Sequence, residues 1–175
     1  MITWGISANS HDGSVAVFDK DDLVFASHTE RFSRRKNDPD LNKDIIQYAK
    51  NWGEPNKVVW YEKPFKKTIR QLIAGQGWTA EENNIKTYLK SFDIDAPLEY
   101  SNHHESHAAA SYYTSGYTDA TVVCIDSIGE FETFTIWQGE GDKLKKVYSQ
   151  GYPHSIGLFY SAMTQRIGLK PNEDE

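Results

Sequence analysis

Three short β-forming runs divided by two turns open this chain, and an alternation of helix and strand signals follows; that order limits the available folds more than any other feature. Residues 2–6 are apolar and run into Ser7-Ala8-Asn9-Ser10-His11-Asp12-Gly13, a turn cluster in which Gly13 is free to take positive φ. Residues 14–18 resume a β-rich run, Asp19-Lys20-Asp21-Asp22 turns again, and residues 23–29 form the third. Two hairpins in series predict an antiparallel three-stranded meander.

The alternation comes next. Residues 30–38 are charged and read as a loop. From Asp40, a good N-cap, Leu41, Ile45, Ile46, Ala49 and Trp52 recur at helical spacing up to Gly53. Residues 57–61 form a short apolar strand of the buried, parallel kind. Pro64 opens a helix with Phe65, Ile69, Leu72 and Ile73 on one side, stopped by Gly75. Thr79 and Glu82 fit a capping box ahead of a helix bearing Ile85, Tyr88, Leu89 and Phe92. A strand after Pro97 leads to a histidine-rich helix that closes near Gly116, and residues 121–125 are a clear strand. Residues 131–138 and 144–149 pair around Gly139-Glu140-Gly141-Asp142, and Ser155 caps a last helix ending at Gly168. The opening strand-turn-strand is echoed at residues 121–138.

A meander followed by alternating elements predicts an α/β protein: a mixed sheet with helices on its faces. That is the ribonuclease-H-like plan which actin-like ATPases use in duplicate, here with its second half incomplete. At 175 residues, 38% of them hydrophobic, the chain can bury a real core. The net charge of −6 argues against nucleic acid as a partner. Cys124 is alone, so neither a disulfide framework nor a cysteine zinc site is available. No apolar run approaches the ~20 residues that span a bilayer, so no membrane partner is expected. The N-terminus opens on a strand rather than a signal peptide, and a cytoplasmic protein is expected.

Four stretches carry residues suited to chemistry. Asn102-His103-His104-Glu105-Ser106-His107 places three of the six histidines within five positions. On a helix His103 and His107 share a face, while His104 and His107, three apart, could also meet. Two imidazoles on one turn make half a metal site, although a group that merely caps the core reads the same way. Asp126, at the end of a strand, is the best carboxylate to complete the site, where it could equally cap the turn that follows. Such a set with open positions favours iron(II), manganese or zinc. Asn9-Ser10-His11-Asp12-Gly13 is the hairpin turn that faces nucleotide phosphates in this plan. His11 there could act as a general base, or the turn could be an ordinary one. Glu30-Arg31-Phe32-Ser33-Arg34-Arg35-Lys36 gathers four cations suited to phosphate or carboxylate, against the plainer reading of a solvated charge run. Finally, Ser155 at a helix N-terminus in Tyr152-Pro153-His154-Ser155-Ile156-Gly157 could receive an anion or simply start the helix.

In their order and spacing these stretches resemble the carbamoyltransferase family that includes the nodulation and antibiotic O-carbamoyltransferases. The matching pieces are Gly5-Ile6-Ser7 with His11-Asp12, the segment from Glu30 to Lys36, and His103-His104-Glu105-Ser106-His107-Ala108-Ala109. Asp126 with Gly129-Glu130 follows, then Pro153-His154-Ser155-Ile156-Gly157-Leu158-Phe159-Tyr160-Ser161-Ala162. The resemblance spans nearly the whole chain, and residues 57–97 contribute no motif to it.

The resemblance implies an actin-like domain, akin also to tRNA threonylcarbamoyladenosine synthases, in which ATP and carbamoyl phosphate yield a carbamoyl-adenylate. Its carbamoyl group then passes to an acceptor hydroxyl of a sugar, nucleoside or natural product. It implies a metal on His103, His107 and Asp126, and nucleotide contacts at Ser10, Gly13 and Gly129. It implies His11 as the base and Lys36 as a catalytic cation, with Asp12, Arg34 and Arg35 binding substrate. Ser127 departs from the glycine common in the family. Members also continue well past residue 172 into the rest of the domain and an adenylate-forming domain. The chain is therefore expected to be an N-terminal portion, truncated, split or a fragment, inactive alone and completed by a second polypeptide. The alternatives from other classes are a non-catalytic partner subunit and a metal-dependent hydrolase.

Overall fold

A computed structural model describes every residue except Ala74, Gln76, Glu82, Asn172, Glu173 and Glu175. The chain divides into two units, Met1–Ser101 and Asn102–Glu175.

The first unit is built on a five-stranded mixed sheet in the order β3-β2-β1-β4-β5. Strands β1 (Ile2–Ser7), β2 (Ser14–Asp19) and β3 (Asp22–His28) form the expected antiparallel meander. Strands β4 (Lys57–Trp60) and β5 (Leu98–Tyr100) add in parallel beside β1. Period-two alternation brings Trp4, Ile6, Val15, Val17, Val58 and Trp60 to one face, where all are buried. Ile45, Ile46 and Ala49 of α2 (Lys43–Lys50) and Ile85 and Leu89 of α4 (Ile85–Lys90) complete that core.

Several local expectations shift. Residues 30–38 contain a one-turn helix, α1 (Glu30–Ser33). The cap of α2 is Asn42 rather than Asp40, because it is the Asn42 side chain that accepts the Ile45 N–H, at 2.9 Å. Asn84 caps α4, its side chain accepting the Thr87 N–H at 3.1 Å; the Glu82 half of the expected capping box lies outside the described residues. Helix α3 (Pro64–Ile73) stands where expected but turns its polar side inward: Lys67 and Thr68 are buried, while Phe65, Leu72 and Ile73 are exposed. Beneath it Glu62 is buried and accepts the Lys67 ammonium at 2.7 Å and the Tyr61 hydroxyl at 2.7 Å. A buried carboxylate requires such partners, and that requirement overrides the apolar periodicity.

The second unit carries a three-stranded antiparallel sheet, β6 (Asp119–Gly129), β7 (Glu132–Glu140) and β8 (Lys143–Gly151). Its meander repeats the form of β1-β2-β3. Helix α5 (His103–Ser115) ends at Gly116 in a left-handed conformation, as its sequence predicts. Ala108 and Tyr112 of α5 pack on Val122, Cys124 and Trp137. Helix α6 (Ile156–Arg166) buries Thr164 and leaves Phe159, Tyr160 and Met163 exposed. No helix among the described residues is long and apolar enough to cross a membrane.

Tyr88 offers a measurable handle on the first core. Its hydroxyl accepts the buried Leu41 N–H at 2.8 Å, and burial pushes its pKa from 10.0 up to about 12. The folded chain therefore favours the neutral phenol. That contribution is complete below pH 10.0 and is lost as pH rises through about 12. Tyr88→Phe is expected to lower stability by about 1–3 kcal/mol at neutral pH, since it strands the Leu41 amide. It should also flatten part of the alkaline decline in denaturant-measured stability between those limits.

Candidate functional site

Helical spacing sorts the histidines of α5. His104, Ala108 and Tyr112, four apart in turn, face the sheet and are buried. His103 and His107 occupy the neighbouring stripe, with Nε2 atoms 3.1 Å apart. Asp126 Oδ2 approaches His103 Nε2 to 3.0 Å. One ligand atom from each of His103, His107 and Asp126 lies within 4.8 Å of the others. Of the two pairings open in the sequence, the geometry brings His103 and His107 together with the carboxylate, while the His104 ring is buried against the sheet with Nδ1 on Thr135 and Nε2 3.8 Å from Asp126 Oδ2.

Asp126 does not terminate its strand. It begins an irregularity in β6, whose pairing with β7 lapses between Ile125 and Gly129. The bulge turns the carboxylate out of the ladder, and Oδ1 accepts the Ser127 N–H at 2.6 Å. Burial alone would raise the Asp126 pKa, but the hydrogen bond and charge of His103, with Ser127 and His107, bring it down to about 2. The carboxylate is thus anionic, the state a cation needs, and its Oδ2 is a buried atom with His103 Nε2 at 3.0 Å. Two imidazoles and one carboxylate form a donor set that suits a divalent transition ion with further positions open.

Residues that sequence reasoning assigned elsewhere hold this arrangement. A Cβ on Gly129 would overlap the His103 ring and come within 2.9 Å of His104 Cδ2, so only glycine lets β6 pass the start of α5. Gly129 was expected to meet nucleotide; in the structure its closest neighbours are these rings. A Cβ on Gly157 would lie 2.6 Å from Ser127 N and 2.7 Å from Asp126 O. The Ser155 hydroxyl donates to Ser127 O at 2.7 Å and accepts the Leu158 N–H at 3.0 Å. The N-terminus of α6 is thus a clamp on the Asp126-Ser127 peptide, not the open anion site that Ser155 suggested. A serine and a glycine two apart in the sequence were a signal that could have been read as close packing.

In the first unit the β1–β2 turn is stitched to the segment after the basic run. Asn9 N–H donates to Pro39 O at 2.8 Å, Gly13 N–H to Asp38 O at 2.7 Å, and Thr29 N–H to Gly13 O at 2.6 Å. Positive φ falls on Asn9 and Asp12 rather than on Gly13. Glycine is needed at position 13 because a Cβ would lie 2.6 Å from Asp40 O. His11 Nδ1 meets Asp12 Oδ2 at 2.9 Å, leaving its Nε2 outward on an exposed ring. Ser10 is hydrogen-bonded to Tyr61 through its side chain. Arg34 takes the left-handed conformation that ends α1, and Arg35 lies 3.9 Å from Asp38. Arg34 and Lys36 make no ion pair among the described residues. The turn and the cations are therefore neighbours, joined through residues 38–40.

If the clamp holds Asp126, widening it should damage the centre. Gly157→Ala is expected to destabilise the chain by about 1–3 kcal/mol, because the new methyl meets backbone that cannot yield. Ser155→Ala should cost about 0.5–2 kcal/mol through the lost cap. Equilibrium urea unfolding measures both.

The pattern of the family described as "Carbamoyltransferase N-terminus" matches residues 3–58 and 55–175. An uncharacterized protein of Synechocystis is 32% identical over 98% of this chain and 32% of its own length. The nodulation protein NolNO of Sinorhizobium fredii is 22% identical over 90% of this chain and 25% of its own length. The chain thus spans about a third or less of the length of these relatives. Among solved structures, YeaZ from Pseudomonas aeruginosa superposes with a TM-score of 0.51 at 11% identity, over 87% of this chain and 67% of that one. The Aquifex aeolicus PPX-GPPA enzyme gives 0.50 at 14% identity, over 95% and 55%. Both likenesses bear on the fold, which is of the actin-like ATPase kind. Matched across almost its whole length, the chain belongs to the carbamoyltransferase family, in the N-terminal part of that family's sequence.

Proposed function

We propose that this chain is the N-terminal portion of the actin-like domain of an ATP- and metal-dependent O-carbamoyltransferase. The observation that carries this reading is the convergence of His103, His107 and Asp126 in a member of that family. These three residues would hold one divalent ion, iron(II) by preference, with manganese or zinc as the other fits. Bound there, the metal supplies Lewis-acid polarisation and a template for phosphate oxygens. The rest is the work of this chain's own residues. Asp12 orients the His11 imidazole through Nδ1, so that Nε2 can take the proton of the acceptor hydroxyl. The acceptor oxygen then bonds to the carbamoyl carbon as the bond from that carbon to the adenylate oxygen breaks, releasing AMP. Lys36 and Arg34, with Arg35, neutralise the anionic donor, and Ser10 and Gly13 of the β1–β2 turn meet its phosphates. The donor is made from carbamoyl phosphate and ATP, and the acceptor is a hydroxylated small molecule. The remainder of the relatives' length would come from a longer chain or from a second polypeptide.

The reading is tested in two steps. Anaerobically reconstituted chain should hold close to one iron(II), and His107→Ala should lose it. Supplemented with a polypeptide equivalent to the rest of a relative, carbamoyl phosphate, ATP and a hydroxylated acceptor, it should form a carbamate ester and AMP. His11→Ala should lower kcat by about 10²–10⁴-fold. Release of phosphate without any carbamate ester would identify a hydrolase instead, and a chain without metal or turnover would identify a binding subunit.

A further inference from the structure

His104 is the cluster histidine that the metal reading leaves unused, yet its ring is fully buried. A neutral imidazole has one donor and one acceptor nitrogen, so its neighbours decide which is which. The Trp137 indole can only donate, and it gives Nε1–H to Thr135 Oγ1 at 2.8 Å. That occupies one lone pair of the hydroxyl, whose O–H can then be donated to His104 Nδ1, 2.9 Å away. Cys124 directs its thiol to the His104 backbone carbonyl at 3.8 Å.

The other end of the ring decides the tautomer. His104 Nε2 is buried and has no hydrogen-bond partner among the described residues. It faces Asp126 Oδ2 at 3.8 Å. A bare nitrogen lone pair held against an anionic oxygen away from water is repulsive, whereas an N–H there is attractive. The Asp126 end of the imidazole therefore selects the Nε2–H tautomer, and the Thr135 hydroxyl can satisfy it at Nδ1. Asp126 lies where the pairing of β6 with β7 lapses; its Oδ1 is held by the Ser127 amide, and its Oδ2 has His103 Nε2 at 3.0 Å and His104 Nε2 at 3.8 Å.

We propose that Trp137, Thr135 and His104 form a relay that holds His104 as its Nε2–H tautomer and aims that N–H at Asp126 Oδ2, orienting the carboxylate toward His103 and His107. His104 is thus a positioning residue and not a ligand. The final link to a cation rests on the metal reading above; the tautomer and the orientation of Asp126 do not. Outer partners of metal-binding groups typically change affinity by about 10–100-fold.

The test begins on the metal-free chain, by ¹⁵N NMR of the imidazoles at neutral pH. His104 should carry its proton on Nε2, and Thr135→Val should mix the tautomers while Thr135→Ser restores the single one. A wild-type His104 protonated on Nδ1 overturns the proposal. Anaerobic iron(II) titration follows. Thr135→Val should weaken binding about 10–100-fold, and Thr135→Ser should recover it. His104→Gln, which can present an amide N–H in place of Nε2–H, should stay within a few-fold of wild type. A loss in His104→Gln as deep as that in His107→Ala, with unchanged near-ultraviolet circular dichroism, would make His104 a ligand and sink the relay. A wild-type chain that takes up no iron(II) but shows the Nε2–H tautomer defeats the metal reading and still supports the orientation of Asp126.

Discussion

The second unit depends on how closely β6 can approach the ends of two helices. Asp126 is useful only because it leaves the β-ladder, and a residue outside the ladder must be held by something else. Gly129 lets the strand slide past the rings of His103 and His104, and Gly157 lets the first turn of α6 sit on the Asp126-Ser127 peptide. Ser155 then locks the contact with a donated and an accepted hydrogen bond. Thr133 adds a tie on the approach to α6, its hydroxyl donating to the His154 carbonyl at 2.5 Å. The carboxylate is placed by backbone contact made possible by missing side chains.

The first unit reaches its arrangement differently. Its turn of chemical residues is fastened by backbone hydrogen bonds to residues 38–40, and its floor is polar. Glu62, Lys67 and Tyr61 interlock beneath α3, and Lys67 also donates to the Asn9 carbonyl at 3.0 Å. One buried ion pair thereby supports the residue that starts the turn carrying His11. Removing one member of such a pair strands the other charge, so the polar floor and the turn above it stand or fall together.

Much of the fold was legible because it rests on local signals. Alternation in residues 14–18 and 23–29, with charged turns between, could only make a meander beside the first strand. Gly116 and Ser155 marked helix boundaries by chemistry that acts within a few residues. The face of a helix is another matter. Phe65, Leu72 and Ile73 formed an apolar stripe on α3, yet the buried side belongs to Lys67 and Thr68, since Glu62 and Asn83 needed partners there. In the candidate site, counting residues left His107 open to His103 or His104 and the family resemblance chose His103, while Asp126 stood at the end of an apolar run. Thr135 could not be singled out, because it acts on a residue about 30 positions away in sequence and nothing nearby marks it; Gly157 could be read as a packing glycine at a helix start, but not the Asp126-Ser127 peptide it packs on.

The two meanders have the same form but are held by unlike means, and this divides the chain into places that can change and places that cannot. Around His11 and Asp12 the fastenings are amide to carbonyl, so side chains there can be exchanged while the turn keeps its shape. Around Asp126 the fastening consists of space itself: two glycines whose every substitution intrudes on a ring or a peptide. Substitution is therefore tolerated at the first turn and resisted at the second, a contrast that comes from how each copy of one supersecondary unit is fastened.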